Sequence, residues 1–96
     1  MNHFEQTSAF SNWLTTLKDP IGKARILARL RAAELGNFGD CEPVGDGVIE
    51  MRVHCGPGYR VYLTRRAEIV YLLLIAGDKS SQKRDIVYAR QMAKNL

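Results

Sequence analysis

Side chains that could bind phosphate or transfer protons alternate with apolar residues on either side of the turn Gly56-Pro57-Gly58. Successive side chains of a strand point to opposite faces of a sheet, so the polar members of both segments should share the face away from the core. A hairpin centred on Pro57 would pair the two strands across this face. The predicted cross-strand pairs are His54 with Arg60 and Arg52 with Tyr62.

This predicted face has the side chains of an anion site. A guanidinium group can hold two phosphate oxygens through parallel N–H groups, which favours such a role for Arg52 and Arg60. Histidine is the side chain best suited to acid–base chemistry near neutral pH. A lone histidine on a strand is more often simply exposed, so the sequence leaves the role of His54 open.

A second basic cluster is predicted at the start of the last helix, where Lys79, Lys83 and Arg84 follow a strand. The helix dipole disfavours cations at this end. Free backbone N–H groups, the dipole and fixed cations together form an anion-binding site. Alternatively, Asp78 and Asp85 neutralise these cations and nothing binds. With the two strand arginines nearby, the sequence favours a phosphate-binding cleft.

Two N-terminal helices are predicted to support the strands. Thr7 or Ser8 can cap the first helix, whose apolar residues follow the helical repeat. Asp19-Pro20 starts the second helix, which runs to about Glu34 and is ended by Gly36-Asn37. The core-facing residues of the first helix are Phe10, Trp13, Leu14 and Leu17.

The second predicted helix is apolar on two sides. One side consists of Ile21, Ala24, Leu27, Ala28 and Leu35, and the other of Ile26, Leu30 and Ala33. Such a helix should be covered from two directions, and the first helix and the sheet are the natural covers. Its basic residues could contact nucleic acid, although solvation of a helix surface is their commoner role.

The remaining elements follow from apolar runs. Phe4–Glu5 is a candidate edge strand, and Asp40–Val44 predicts a short strand among turn residues. Ile69–Ala76 is apolar on both faces, as expected for a strand covered from both sides. A last helix begins at about Ser80. Its apolar stripe is Ile86, Ala89, Ala93 and Leu96.

Length and composition predict a single domain over residues 1–96. The net charge of +4 favours a polyanionic partner. Cys41 and Cys55 fit neither a disulfide framework nor a metal-ligand spacing, so we expect free thiols, no metal and no cofactor. No apolar stretch approaches the ~18 residues of a membrane span, and no leader is recognisable. We therefore expect a soluble, cytoplasmic protein without a membrane partner.

Several segments, in order, resemble the RelE/ParE superfamily of bacterial toxins. These are Glu50-Met51-Arg52-Val53, Gly58-Tyr59-Arg60-Val61-Tyr62 and the strand-ending Ala76-Gly77-Asp78-Lys79-Ser80-Ser81-Gln82. Three further segments are similar to the HigB-type addiction module killer proteins. They are Trp13-Leu14 with Leu17-Lys18-Asp19, Arg25-Ile26-Leu27-Ala28-Arg29-Leu30 and Gly36-Asn37-Phe38-Gly39-Asp40. The resemblance covers about residues 10–90; no single motif is diagnostic, and the ordered set is specific.

The resemblance implies an α+β fold, with an N-terminal helical hairpin packed on a twisted antiparallel sheet of three to four strands and a C-terminal helix. It implies the toxin of a type II toxin–antitoxin pair, an endoribonuclease that cuts mRNA on the ribosome and is neutralised by a small antitoxin protein. The implied catalytic residues are Arg60 as the phosphate clamp, Lys79, His54 and Tyr88. The implied RNA-binding residues are Arg52, Tyr62, Lys83 and Arg84.

Two other functions fit the same sequence. The ParE branch shares the fold and inhibits DNA gyrase without cutting RNA, so mutants of the basic cluster would stay toxic. A non-catalytic RNA-binding module would bind RNA and never cut it. The set of His54, Arg60 and Lys79 argues mildly against the gyrase inhibitor.

Overall fold

A computed structural model describes residues 1–96 as five strands and three α-helices around one mixed sheet. The elements in chain order are β1 (His3–Gln6), α1 (Ser8–Thr16), α2 (Pro20–Glu34), β2 (Cys41–Gly45), β3 (Val48–Val53), β4 (Tyr59–Arg65), β5 (Val70–Gly77), a 3-10 turn (Lys79–Ser81) and α3 (Gln82–Lys94). The strand order across the sheet is β1-β5-β4-β3-β2. None of the helices has the length and apolar character that crossing a membrane requires.

The α+β class is confirmed, but the predicted arrangement of a helical hairpin on an antiparallel sheet of three to four strands is wrong. β1 pairs in parallel with β5, which makes the sheet mixed and adds a fifth strand. α1 packs on β5, whereas α2 packs on β3, so the two helices do not form a hairpin on the sheet. The fifth strand and the parallel pairing both come from β1, a short segment with little sequence pattern of its own.

Local sequence signals place the helix starts correctly. The Thr7 hydroxyl accepts a hydrogen bond from the Phe10 backbone N–H at 3.0 Å. The Asp19 carboxylate accepts one from the Gly22 N–H, also at 3.0 Å, and Pro20 occupies the first helical position. Each cap satisfies a backbone N–H that has no partner inside the helix.

Two cores lie on opposite faces of the sheet. On one face, Phe10 of α1 and Ile26 and Leu30 of α2 pack against Met51 and Val61 of the strands. The other face forms a smaller core under α3. Its buried residues are Val48, Tyr62, Leu72, Leu74, Ile75 and Ala89. We call the second face the α3 face.

The predicted cover of α2 from two directions is wrong. Ile26, Leu30 and Ala33 are buried against the sheet, as expected. The opposite side is exposed, and α1 does not cover it. In α3, the predicted stripe is buried or half-buried at Ile86, Ala89 and Ala93, whereas Leu96 lies beyond the helix and is exposed.

The β3–β4 register differs from the predicted one. Arg52, and not His54, lies opposite Arg60, because the hairpin is centred on Gly56 and not on Pro57. Glu50 therefore takes the position opposite Tyr62 that was predicted for Arg52. The loop of residues 54–58 contains two glycines with positive φ, 53° at Gly56 and 79° at Gly58. This conformation favours glycine and sets a longer connection than the tight turn we predicted.

Candidate nucleic-acid interface

Two arginines face each other across β3 and β4 on the α3 face, and their surroundings differ. The Arg52 guanidinium lies among three carboxylates. Its Nε donates to Glu50 Oε1 at 3.1 Å, and it also pairs with Glu42 and, at 3.8 Å, with Asp40. Hydrogen bonds to Glu50 and Glu42 raise the pKa of Arg52. Arg52, predicted to bind RNA, is therefore already neutralised within the protein.

Glu50 is the buried carboxylate of this group, with 1% of its surface exposed. Its Oε2 accepts hydrogen bonds from the Tyr62 hydroxyl at 3.1 Å and from Gln82 Nε2 at 3.0 Å. Gln82 is the first residue of α3, so Glu50 ties the start of this helix to the sheet. Our sequence analysis missed this role, although the even position of Glu50 in its strand places it on the α3 face.

Tyr62 was predicted on an open face, and this placement is wrong because Tyr62 is fully buried under α3. Burial raises the pKa of its hydroxyl, and the neighbouring Glu50 carboxylate raises it further. A side chain that α3 covers in this way has no surface for RNA.

Arg60 has no carboxylate partner. Its Nη1 donates to the Gly58 carbonyl at 2.6 Å, and its Nε is buried without a hydrogen-bond partner. Most buried polar groups are paired, since an unpaired one costs free energy. Arg60 is thus a half-buried cation without an ion pair in the protein, and its charge contributes to lowering the pKa of Asp78.

Gly58 brings Arg60 and Lys79 together. A Cβ atom added at Gly58 would lie 2.7 Å from Arg60 Nη1 and 3.5 Å from Lys79 Cβ. The Lys79 N–H donates to the Pro57 carbonyl at 3.4 Å, which joins the hairpin loop to the 3-10 turn. The positive φ of Gly58 favours glycine here, and a Cβ atom would displace only the end of the Arg60 side chain.

The acidic residues beside the basic turn accept hydrogen bonds from its serines. Asp78 Oδ1 accepts a hydrogen bond from the Ser80 N–H at 2.8 Å, and bonds from Ser80 hold the pKa of Asp78 below its usual value. Asp85 Oδ2 accepts one from the Ser81 hydroxyl at 2.5 Å. Neither carboxylate forms an ion pair with a lysine or arginine. The charge of Arg60 nevertheless contributes to lowering the pKa of Asp78, so Asp78 offsets part of the positive charge here without forming an ion pair.

An open groove of about 380 Å³ follows the basic turn. Its lining residues are Lys79, Ser80, Ser81, Gln82, Lys83 and Arg84. We call this groove, together with Arg60, the basic cleft. The backbone N–H groups of residues 79–82 already have acceptors within the protein, so the helix dipole and the cations without ion pairs are the features that attract a phosphate group.

The two candidate proton-transfer residues form no hydrogen bond with Arg60. His54 is 74% exposed, and its Nε2 lies 2.6 Å from Asp40 Oδ2 beyond the end of β3. It borders a depression of about 300 Å³ beside Arg25 and Arg29 of α2. Tyr88 is half exposed on the outer side of α3, in a depression of about 550 Å³ that also includes Arg84.

Comparison with known proteins finds a relative in Haemophilus influenzae. An uncharacterized protein from this organism is 44% identical over 90 residues, which are 94% of this chain and 91% of the relative. The chain belongs to the family of that protein. No model of a known protein family matches the chain.

In this member of the family, both cysteines are free and half-buried. The Cys41 thiol lies 3.2 Å from the Phe38 carbonyl, and burial raises its pKa. No group of three or more His, Cys, Asp or Glu side chains could hold a metal ion. Two clusters of charged side chains therefore remain as candidates for a functional site: the basic cleft and the carboxylates around Arg52.

Proposed function

We propose that this protein is the toxin of a type II toxin–antitoxin pair, a ribosome-dependent mRNA endonuclease held inactive by a small antitoxin protein. The observation that carries the proposal is the position of Arg60, a half-buried cation without a carboxylate partner, beside Lys79 at the basic turn. The ordered resemblance of residues 10–90 to the HigB-type killer proteins supports the choice of substrate.

In the proposed reaction, the ribose 2′-oxygen attacks the adjacent phosphorus and the bond from phosphorus to the 5′-oxygen breaks. Negative charge grows on the phosphate oxygens in the transition state. Arg60 and Lys79 stabilise that charge, and Lys83 and Arg84 hold the neighbouring phosphates. The 2′-hydroxyl loses its proton to a base, and an acid protonates the leaving 5′-oxygen. His54 and Tyr88 are the candidates for these two transfers.

One observation favours a second candidate, the non-catalytic RNA-binding module. Neither His54 nor Tyr88 forms a hydrogen bond with Arg60, and His54 is already hydrogen-bonded to Asp40. A protein with this arrangement binds RNA through the basic cleft but lacks an assembled acid–base pair. The two functions make the same prediction for RNA affinity and opposite predictions for cleavage.

Expression of the protein in bacteria, followed by mapping of mRNA 5′ ends, distinguishes these two functions. A toxin of the proposed kind stops growth and produces new 5′ ends within translated reading frames. A binding module produces no new ends. Growth arrest with intact mRNA and inhibited gyrase would instead identify the gyrase-directed branch of the superfamily.

A further inference from the structure

The outer side of α2 is apolar and uncovered. Ile21 is 69% exposed and Leu35 is 68% exposed, on the side of the helix away from the sheet. Ala24 and Ala28 lie between them and are also exposed. We call these four residues the outer stripe of α2. Most soluble monomers keep contiguous apolar surface small, so a stripe of this length indicates an interaction surface.

The helical repeat places the outer stripe opposite the core. At about 100° per residue, Ile21, Ala24, Ala28 and Leu35 fall within about 60° of one another. The buried residues Ile26, Leu30 and Ala33 lie on the other side. A helix with apolar residues on both sides is normally covered on both. The sheet covers the inner side, and no element of this chain covers the outer one.

Basic residues flank the outer stripe. Arg25 lies along one edge and Arg31 along the other, and both are exposed. α2 has four basic residues and one acidic residue, Glu34. At the C-terminal end of the helix, Leu35 borders a depression of about 150 Å³ that also includes Met1 and Arg31. The surface is thus an apolar strip with an exposed arginine along each edge, and Glu34 also lines the depression at its C-terminal end.

These charges decide what can cover the stripe. A second copy of the chain, packed symmetrically through α2, would bring the arginines of both copies together, and each copy has a net charge of +4. Like charges at an interface oppose association. An amphipathic helix with apolar residues at helical spacing and acidic residues on its flanks matches both the stripe and its borders.

We propose that the outer stripe of α2 is a docking site for an acidic amphipathic helix of a partner protein. The site lies on the face of the sheet opposite α3, so its occupant leaves the basic cleft uncovered. The inference does not rest on the proposed nuclease activity. An antitoxin is one protein that could supply such a helix.

The test uses two synthetic helical peptides with leucine at every third and fourth position. One peptide has glutamate on the flanking positions and the other has lysine. We expect the glutamate peptide alone to bind, and to shift the amide NMR signals of residues 21–35. Replacing two large side chains, Ile21→Ser with Leu35→Ser, should weaken binding by roughly tenfold or more, since each side chain loses its burial against the peptide.

Two controls make the outcome specific. Ile69→Ser removes an apolar side chain that is 52% exposed, in the loop before β5, and should leave binding unchanged. Arg25→Glu with Arg31→Glu should reverse the preference toward the lysine peptide. Thermal melting should be unchanged in all variants, because these side chains are exposed.

Other outcomes would overturn the inference. Equal binding of both peptides, binding of neither, or shifts confined to α3 would each exclude an acidic partner on this helix. Sedimentation provides the remaining check. A dimer that dissociates in the Ile21→Ser, Leu35→Ser variant would show that a second copy of the chain covers the stripe.

Discussion

Arg52 and Arg60 are partners in the β3–β4 pairing and lie on the same face of the sheet, yet only Arg52 forms ion pairs within the protein. Asp40, Glu42 and Glu50 surround Arg52. Arg60 donates to a backbone carbonyl and has a buried nitrogen without a partner. The comparison shows that a count of cations on a strand face does not define a phosphate site. What defines it is whether the protein's own carboxylates already neutralise each cation.

The largest expected effect is on cleavage by variants of Arg60. Arg60→Ala should lower the single-turnover cleavage rate of ribosome-bound mRNA about a hundredfold, because a charge-stabilising contact worth about 3 kcal/mol is lost. Lys79→Ala should have a similar effect. Arg60→Lys should recover only part of the activity, since an ammonium group keeps the charge but lacks the planar fork.

Arg66→Ala is the matched control, because Arg66 is exposed in the loop after β4 and away from the basic cleft. It should cleave like the wild type. Thermal melting identifies any variant that fails to fold. Wild-type cleavage by a folded Arg60→Ala, Lys79→Ala double variant would rule out the basic cleft as the site of reaction.

Structural features that depend on residues close together in the sequence were predictable. The caps at Thr7 and Asp19 and the stripe from Phe10 to Leu17 depend only on local spacing, and all are present. Arg60 was predicted on the sheet face and Lys79 near it, and atoms of both residues lie near Gly58. The resemblance also pointed to both residues, but their roles stay predictions.

Features that depend on pairing between distant segments were not predictable. A shift of the hairpin centre by one residue moved Glu50 opposite Tyr62 and Arg52 opposite Arg60. No local pattern fixes this register when the loop has two glycines in the left-handed conformation. Likewise, the burial of Tyr62 depends on where α3 packs, which alternation within one strand cannot show.

The second prediction concerns the carboxylates that surround Arg52. Glu50→Ala should lower the free energy of unfolding by about 2–4 kcal/mol, because the buried Tyr62 hydroxyl and the Gln82 amide lose their acceptor. Urea denaturation measures this change. Glu42→Ala is the control, since the Glu42 side chain is 55% exposed and should have little effect. An unchanged midpoint for Glu50→Ala would show that Glu50 does not fix α3 to the sheet.

A smaller effect is expected at Tyr59, which precedes Arg60 in β4 and faces α2. The Tyr59 hydroxyl donates to Asp19 Oδ2 at 2.5 Å, which raises the pKa of Tyr59 to about 12 and lowers that of Asp19. Tyr59→Phe should lower the melting temperature by a few degrees near pH 7. The hydrogen bond fixes the N-terminus of α2 to the strand that bears Arg60.

The pH dependence of the stabilisation by this hydrogen bond follows from the two pKa shifts. The raised pKa of Tyr59 gives stabilisation that is complete below pH 10 and is lost as the pH rises from about 10 to about 12. The lowered pKa of Asp19 gives stabilisation that is present above about pH 4 and is lost as the pH falls. The difference in melting temperature between wild type and Tyr59→Phe should therefore be largest between about pH 5 and pH 9. A difference that is constant up to pH 12 would contradict this assignment.

The smallest expected effect is on the stability of Arg60→Met. Methionine retains the length and apolar character of the arginine stem and removes the buried Nε that has no partner. The free energy of unfolding should stay unchanged or rise by up to about 0.5 kcal/mol, because removing an unsatisfied buried group is neutral or favourable. Urea denaturation gives the stability, and RNA affinity is measured on the same sample. Weaker RNA binding with equal or greater stability would mean that Arg60 is retained for ligand binding and not for folding. A clear loss of stability would instead give Arg60 a structural role like that of Arg52.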